Sequence, residues 1–428
     1  MPTARGKLHA AMLVALLSLS SPARPQAAPK DEVTIVLGGD IEWSGVNIRQ
    51  VANRSRYLLE GAAPGMPPVP RLVYDARLAE WKARGDPAYQ QYQKDFESWP
   101  RLMAFYTGPG PQIEFNSIEE SMAYPLKRIS TVFRKADIVL ANLESPLADK
   151  AERSGLFRTP TAFAGALKAA GVTAVSMANN HALDTGRDGL QETLSALAGA
   201  GVQQVGAGRN LADARKPLII ERGGIRIAVL AYTQIENSGI IGFVTDERSG
   251  VMPLDPDIIK EDIARVRGSV DHVLLSLHWG QFAPVPGGNK RIHQRQVTLA
   301  HDFIDSGADV IFGGHSHVQQ AVEIYKGKPI FYSLGDVVAS ERTLEHQDAV
   351  LAELKLGKSG IRSVSLVPIA GAGADIFQPY ALEGERAAAV LEDMAAMASK
   401  HNTVVKIERN RGRVLAAEVA GPAKGAAR

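Results

Sequence analysis

The 428-residue chain contains no cysteine. That absence removes disulfides, zinc fingers, iron–sulfur ligation and thiol nucleophiles together. An excess of one charge is missing too: 48 Lys and Arg stand against 46 Asp and Glu, a formal net charge of +2. A protein that grips nucleic acid by bulk electrostatics needs a larger basic excess, so no nucleic-acid partner is expected. No apolar run approaches the roughly 20 residues that a membrane-spanning helix requires. What is present is 45% hydrophobic and 22% charged residues, enough for a sizeable core and unlike a disordered chain. At about 100–200 residues per domain, the length predicts two or three domains, or one large domain with insertions. Without thiolates a metal must be held by His, Asp, Glu and Asn, which turns attention to the ten His.

Residues 1–28 have the features of a cleaved secretory signal peptide. Arg5 and Lys7 form a short positive region, and Leu8–Leu19 is an apolar run broken by His9 and Ser18. Small residues around Ala23 or Ala27–Ala28 offer cleavage sites. The expectation is an exported protein, periplasmic or extracellular. Cleavage would remove Arg5 and Lys7, or those two with Arg24, leaving a mature chain close to neutral.

After Lys30, short β-branched runs alternate with helical patterns. Val33–Leu37, Asp137–Ala141, Val172–Met177, Ile225–Tyr232, His272–Leu277 and Val310–Phe312 read as strands. Thr161–Ala170, Gly186–Ala200, Asp257–Arg267 and Ile292–Ser306 read as helices. This alternation predicts an α/β fold built of βαβ units around a largely buried sheet. The stretch 45–130 breaks the rhythm and reads as an insertion, helical around Ala76–Trp81 and Ala88–Ser98 and placed to fold over a site as a lid. From about Leu382 an Ala-rich helix to roughly Lys400 and a strand Thr403–Glu408 precede a small-residue tail. The expected organisation is a signal peptide over 1–28, a main domain over 31–380 and a C-terminal segment over 381–428.

Polar residues collect where the strands end: Asp40, Asn142, Glu144, Asn180, His181, His278, His315 and His317. Open α/β sheets place their ligand crevice at that end. Carboxylates, carboxamides and imidazoles together suit Mn, Fe or Zn. On an extended segment, His315 and His317 share a face and both reach one centre. Singly, each motif has an ordinary explanation, such as a strand-to-loop turn at Gly38-Gly39-Asp40, caps at Asn142 and Glu144, or a buried His278 beside Trp279. Together, one after each predicted strand, they point to a metal site.

The order Gly-Asp, Asn-Leu-Glu, Asn-Asn-His, His-Trp-Gly and Gly-His-x-His resembles the CapA family of capsule-synthesis and poly-γ-glutamate biosynthesis proteins, within the calcineurin-like metallophosphatase superfamily. Leu183-Asp184-x-Gly186, Gly206-Ala-Gly-Arg-Asn210 and Gly327-Lys-Pro-Ile-Phe-Tyr-Ser-Leu-Gly335 extend the likeness. The resemblance implies a four-layer α/β/β/α sandwich with two divalent metal ions at one edge of its sheets. It implies Glu144 as the bridging carboxylate, Asp40 and His317 on the first metal, and Asn180, His278 and His315 on the second. His181 would be the catalytic proton donor. Glu42 stands at the i+2 position of Asp40, which is the family's vacant ligand position; it either completes the first metal site or is a surface residue. Phe282, Thr185 and Asp336 depart from the family pattern in ways expected to reshape the substrate pocket, and Ser316 replaces a Pro.

Asn142, Asn179, Trp279, Arg54 and Arg56 are the candidate substrate-binding residues. Arg54 and Arg56 are suited to anionic groups or simply solvated. Three functions fit these readings. The first is a metal-dependent (phospho)ester hydrolase linked to an anionic capsule polymer. The second is a non-catalytic polymer-binding or assembly component, working with membrane-bound synthesis and export proteins. The third is a nucleotidase-like phosphatase.

Overall fold

The strand Val33–Ile41 (β1) shows how the sequence builds the layers. Val33, Ile35 and Leu37 enter one apolar cluster, whereas Val36 enters another, as the period of two requires. A strand apolar on both faces must be covered on both faces. The computed structural model, which describes residues 32–43, 117–151, 157–235, 242–280, 290–338, 348–371 and 378–417, shows how. The signal peptide, the two helices expected within 45–130, and Arg54, Arg56 and Phe282 lie outside the described residues.

On one side of the inter-sheet core lies a nine-stranded sheet. Its parallel half runs β1, β2 (Ile138–Leu143), β3 (Ala174–Ser176) and β4 (Gln203–Val205). Its antiparallel half continues from β1 through Ala349–Gly357 and Gly360–Ile369 to the C-terminal hairpin Arg411–Ala416 and Thr403–Glu408. Asp336–Val338 adds a short parallel partner to β1. Opposite lies a six-stranded sheet containing Ile225–Thr233, His272–His278, Val310–Gly314 and Lys328–Phe331.

The inner faces of both sheets share one core, in which Ile35, Leu140, Ile227, Leu274 and Phe312 meet. The outer face of the first sheet is covered by helices Phe163–Ala170 and Gly186–Ala200, which bury Phe163, Leu167, Leu190 and Leu197. Pro256–Arg267 and Gln294–Asp305 cover the second, burying Ile259, Ile263, Phe303 and Ile304. The result is the four-layer α/β/β/α arrangement.

The four helices lie within two residues of their sequence expectations, because each repeats its apolar face over several turns and two of them end on a left-handed glycine, Gly171 or Gly201. Pro256–Arg267 has Asp255 as its cap, accepting from the Asp257 and Ile258 amides, and Pro256 at its first position. The strands Val322–Tyr325, Lys328–Phe331 and Asp336–Val338, and Arg411–Ala416, lack a comparable sequence signature, whereas Thr403–Glu408 has the bounds its sequence predicts. The helix Gly384–Ser399 places Ala387, Leu391 and Met394 in the inter-sheet core.

Candidate metal centre

The period of two decides which strand-end residues enter the gap between the sheets. In β2, Ile138 and Leu140 face the inner core, so Asn142 and then Glu144 continue on that side. In the strand His272–His278, Leu274 faces inward and Val273, Leu275 and Leu277 outward. His278 therefore points to the gap, and Trp279 joins the outer cluster. β1 needs a correction of phase to do the same. Its pairing with β2 slips between Leu37 and Asp40, and Ile41 lands in the outer cluster with Val36. The slip turns Asp40 inward, as a bulge re-aims a side chain. Asp40 then meets Gly314 from the other sheet, where a Cβ would stand only 2.3 Å from its Oδ1.

His315 and His317 are not on an extended segment, in contrast to the sequence expectation. Both have positive φ, 92° and 58°, in a bend after the strand Val310–Gly314. Such backbone costs about 1–3 kcal/mol per residue and clusters at functional sites. Its effect here is to separate the rings, with centroids 6.3 Å apart, so that they do not share one centre. Glu144, His278 and His315 form one group whose ligand atoms lie within 4.8 Å of one another, and Asp40, Glu144 and His317 form a second. Glu144 belongs to both.

In the first group, His278 Nε2 lies 2.6 Å from Asn180 Oδ1, 3.2 Å from His315 Nδ1 and 3.2 Å from Glu144 Oε1. One ring nitrogen carries at most one proton and cannot satisfy all three neighbours. Lone pairs converging on one point are the arrangement of a metal shell. In the second group, Asp40 Oδ1 accepts from Asn142 Nδ2 at 2.8 Å and Oδ2 from the His315 amide at 2.8 Å. His317 Nδ1 is 3.0 Å from Asp336 Oδ1. Both oxygens of Glu144 are fully buried and accept no hydrogen bond among the described residues. A carboxylate in that state costs several kcal/mol unless a cation or proton neutralises it. The donor set thus fits divalent ions.

The electrostatics agree. Burial, reinforced by the charges of Asp40, Glu42 and Asp336, raises the Glu144 carboxyl well above its ordinary value, and burial also raises Asp40. Burial and the neighbouring imidazoles hold His278 far below its ordinary value and push His315 down to about 3. Both rings are therefore neutral and offer lone pairs. His317 behaves oppositely: burial acts to lower it, but Asp336, Glu42 and Glu144 together raise it well above the usual range.

The other candidates divide. His181 stands beside the groups, half-buried, with Nδ1 3.0 Å from Asp184 Oδ2 and its ring edge-on to Phe157. Asp184 was legible as a motif residue, three positions on from His181, but its role as a partner appears only here. Glu42 is fully buried, which excludes the surface reading. Asn142 and Asn179 are tied to each other and to the site's frame: Asn179 Nδ2 donates to Asn142 Oδ1 at 3.0 Å and to the Leu143 carbonyl at 2.8 Å. They brace Asp40 and the His181 turn from behind. Trp279 is in the core, stacked on Tyr332 and donating Nε1–H to its carbonyl. Thr185 is buried, and Asp336 touches His317. Of the remaining histidines, His272 bonds Gly357 across the sheets, and His301 and His401 flank Glu323.

A family model described as "Bacterial capsule synthesis protein PGA_cap" matches residues 34–341. The chain belongs to this family. It is 32% identical over 247 residues to the PGA biosynthesis protein CapA of Bacillus subtilis, a match covering 56% of this chain and 63% of that protein. It is 29% identical over 350 residues to a probable polyglutamine synthesis accessory protein of Mycobacterium tuberculosis, covering 77% and 80%. The chain thus spans less than two thirds of the length of the Bacillus protein. Similar solved structures include the calcineurin-like phosphoesterase YfkN of Bacillus subtilis, at 10% identity and TM-score 0.42 over 86% of this chain and 97% of that one. Thermus thermophilus SoxB, a sulfate thiohydrolase, gives 13% identity and TM-score 0.41 over 90% and 63%. The chemistry of the PGA_cap site must therefore be argued from its own residues.

Proposed function

We propose that this PGA_cap protein is exported and carries a two-ion metal centre with which it hydrolyses a phosphoester or related ester in the making of an anionic capsule polymer such as poly-γ-glutamate. The observation that carries this is Glu144, buried between two ligand groups with neither oxygen hydrogen-bonded. Asp40, Glu144 and His317 would hold one ion, and Glu144, Asn180, His278 and His315 the other. Two such ions, of the Mn, Fe or Zn type, supply a bound water of lowered pKa and a clamp on the substrate's oxygens. The chain's own contribution beyond ligation is His181. With Nδ1 held by Asp184, its Nε2 is the atom from which a proton passes to the leaving oxygen, a role that metal storage alone would not need.

A second reading is favoured by the name of the mycobacterial relative, a synthesis accessory protein. In it the centre binds polymer carboxylates without turnover, in company with membrane-bound synthesis and export proteins. Metal content and hydrolysis of aryl phosphate mono- and diesters with added Mn distinguish the two. Wild type is expected to turn over, and His181→Ala to lose about 10²–10⁴-fold in rate while keeping its metal. His315→Ala with His317→Ala is expected to lose the metal with an unchanged circular-dichroism spectrum. A fully metallated but inert wild type overturns the hydrolase reading, and metal retained by the double variant overturns the centre. Export is tested by N-terminal sequencing of the mature protein, which should begin after Ala23 or Ala28.

A further inference from the structure

The two ligand groups are chemically unlike. Around the position of His278 and His315 the donors are two imidazoles, the Asn180 carboxamide and one carboxylate, Glu144. Around His317 the donors are carboxylates: Asp40 and Glu144, with two more buried acids beside them. Glu42 Oε1 stands 4.0 Å from His317 Nε2. That is too long for a hydrogen bond. Two ligands each about 2.0–2.2 Å from a common ion reach that separation only from nearly opposite sides of it. Glu42 borders the group of Asp40, Glu144 and His317 from outside its 4.8 Å span. Glu42 is held there by its backbone, because its N–H donates to the Val338 carbonyl at 2.7 Å and the Asp336–Val338 strand is itself paired to Asp40 and Ile41. The same strand supplies Asp336, whose Oδ1 is 3.0 Å from His317 Nδ1. An acceptor on one ring nitrogen fixes the ring and presents the other nitrogen.

We infer that the two positions select different ions: the Asp40–Glu42–Glu144–His317 position takes a hard, oxygen-preferring cation such as Mn²⁺, with Glu42 as a direct ligand and Asp336 as the positioning residue for His317, while the His278–His315–Asn180 position takes a borderline ion such as Zn²⁺. Carboxylate donors favour Mn²⁺ and imidazole donors favour Zn²⁺, and a second and third charged oxygen widen the difference. The inference rests on the two-ion reading of the site and adds selectivity to it.

The test uses the full chain, stripped with chelator, checked by circular dichroism, and titrated with Mn²⁺ while the spin-resonance signal of free Mn²⁺ is followed, with and without one equivalent of Zn²⁺. One Mn²⁺ should still bind after one Zn²⁺ is in place. Glu42→Gln should weaken Mn²⁺ by about 10-fold or more and leave the first Zn²⁺ within about twofold, and His315→Ala should do the reverse. Asp336→Leu should weaken Mn²⁺ by about 10–100-fold, and Asp336→Asn, which keeps an acceptor for His317, should restore most of it. Mn²⁺ and Zn²⁺ competing equally for both positions, or Glu42→Gln leaving Mn²⁺ binding unchanged, overturns the inference alone. No metal bound by the wild type overturns it together with the two-ion reading.

Discussion

Gly314 shapes the candidate metal site without offering it a ligand atom. Its missing side chain is the space that Asp40 occupies from the opposite sheet. Gly314→Ala is therefore expected to displace the Asp40 carboxylate, lowering metal content in the purified protein. A stability loss of about 1–3 kcal/mol, the usual cost of overpacking, should appear in a denaturant melt. His181 makes a second residue-scale case. Asp184 fixes its ring by accepting at Nδ1, and it also accepts from the Phe157 amide at 3.0 Å. Asp184→Asn keeps an oxygen for the amide but not a charged acceptor for the imidazole. Its expected outcome is hydrolysis reduced by at least about tenfold with metal content and melting temperature nearly unchanged. Residue types at strand ends are readable from the sequence because His and carboxylates interrupt apolar runs. The pairing of Asp336 with His317 is not, because the two lie 19 residues apart and only the fold brings them together.

The elements are held in place by polar junctions that no motif announces. Asp309, just before the strand Val310–Gly314, accepts from Arg267 at the end of Pro256–Arg267, from Lys328 in the neighbouring strand, and from the Val273 amide at 2.8 Å. Burial alone would raise its carboxyl, but these donors outweigh burial and hold it below the ordinary value. The sign follows from that depression. The junction's contribution is present above the unfolded carboxylate range, near pH 4, and is lost as pH falls through the lower folded value. Asp309→Asn is expected to destabilise by about 1–3 kcal/mol at pH 7, with the gap to wild type narrowing below about pH 4. Urea melts at the two pH values measure it, and a gap that stays constant would show the charge to be unimportant. At this scale the helices and the apolar strands were legible, and short strands such as Asp336–Val338 were not. An amphipathic helix carries its pattern over three or four turns, whereas a strand such as Gln203–Val205 is too short to show one.

For the whole molecule, the C-terminal segment is continuous with the sandwich. Ala387, Leu391 and Met394 fill the core between the sheets, Arg386 pairs with Asp348, and Arg411–Ala416 hydrogen-bonds to Gly360–Ile369. Removing residues 382–428 is expected to leave an insoluble chain, and Leu391→Ala to cost about 2–5 kcal/mol through the cavity it opens. A soluble truncated chain with a cooperative melt would show the segment to be dispensable. Metal is expected to act on the same scale: a ligand that binds only the folded chain stabilises by about 4 kcal/mol when present at 1,000 times its dissociation constant. Stripping with chelator should therefore lower the melting temperature, and re-adding Mn²⁺ should restore it.

By itself the sequence determined the α/β class, the main helices and most of the site's residue types. Those depend on local periodicity and on the interruption of apolar strands by polar ends. The absence of cysteine already confined any metal to nitrogen and oxygen donors. The tertiary structure decided the rest, because it depends on strand phase and on contacts across the two sheets. The slip between Leu37 and Asp40 turns Asp40 into the gap, and the phase of His272–His278 sends His278 inward and Trp279 to the core. The positive-φ bend splits His315 from His317. A slip of one residue in any of these strands would carry its ligand to the opposite face of its sheet, which is why side-chain phase across the sheets fixes the centre.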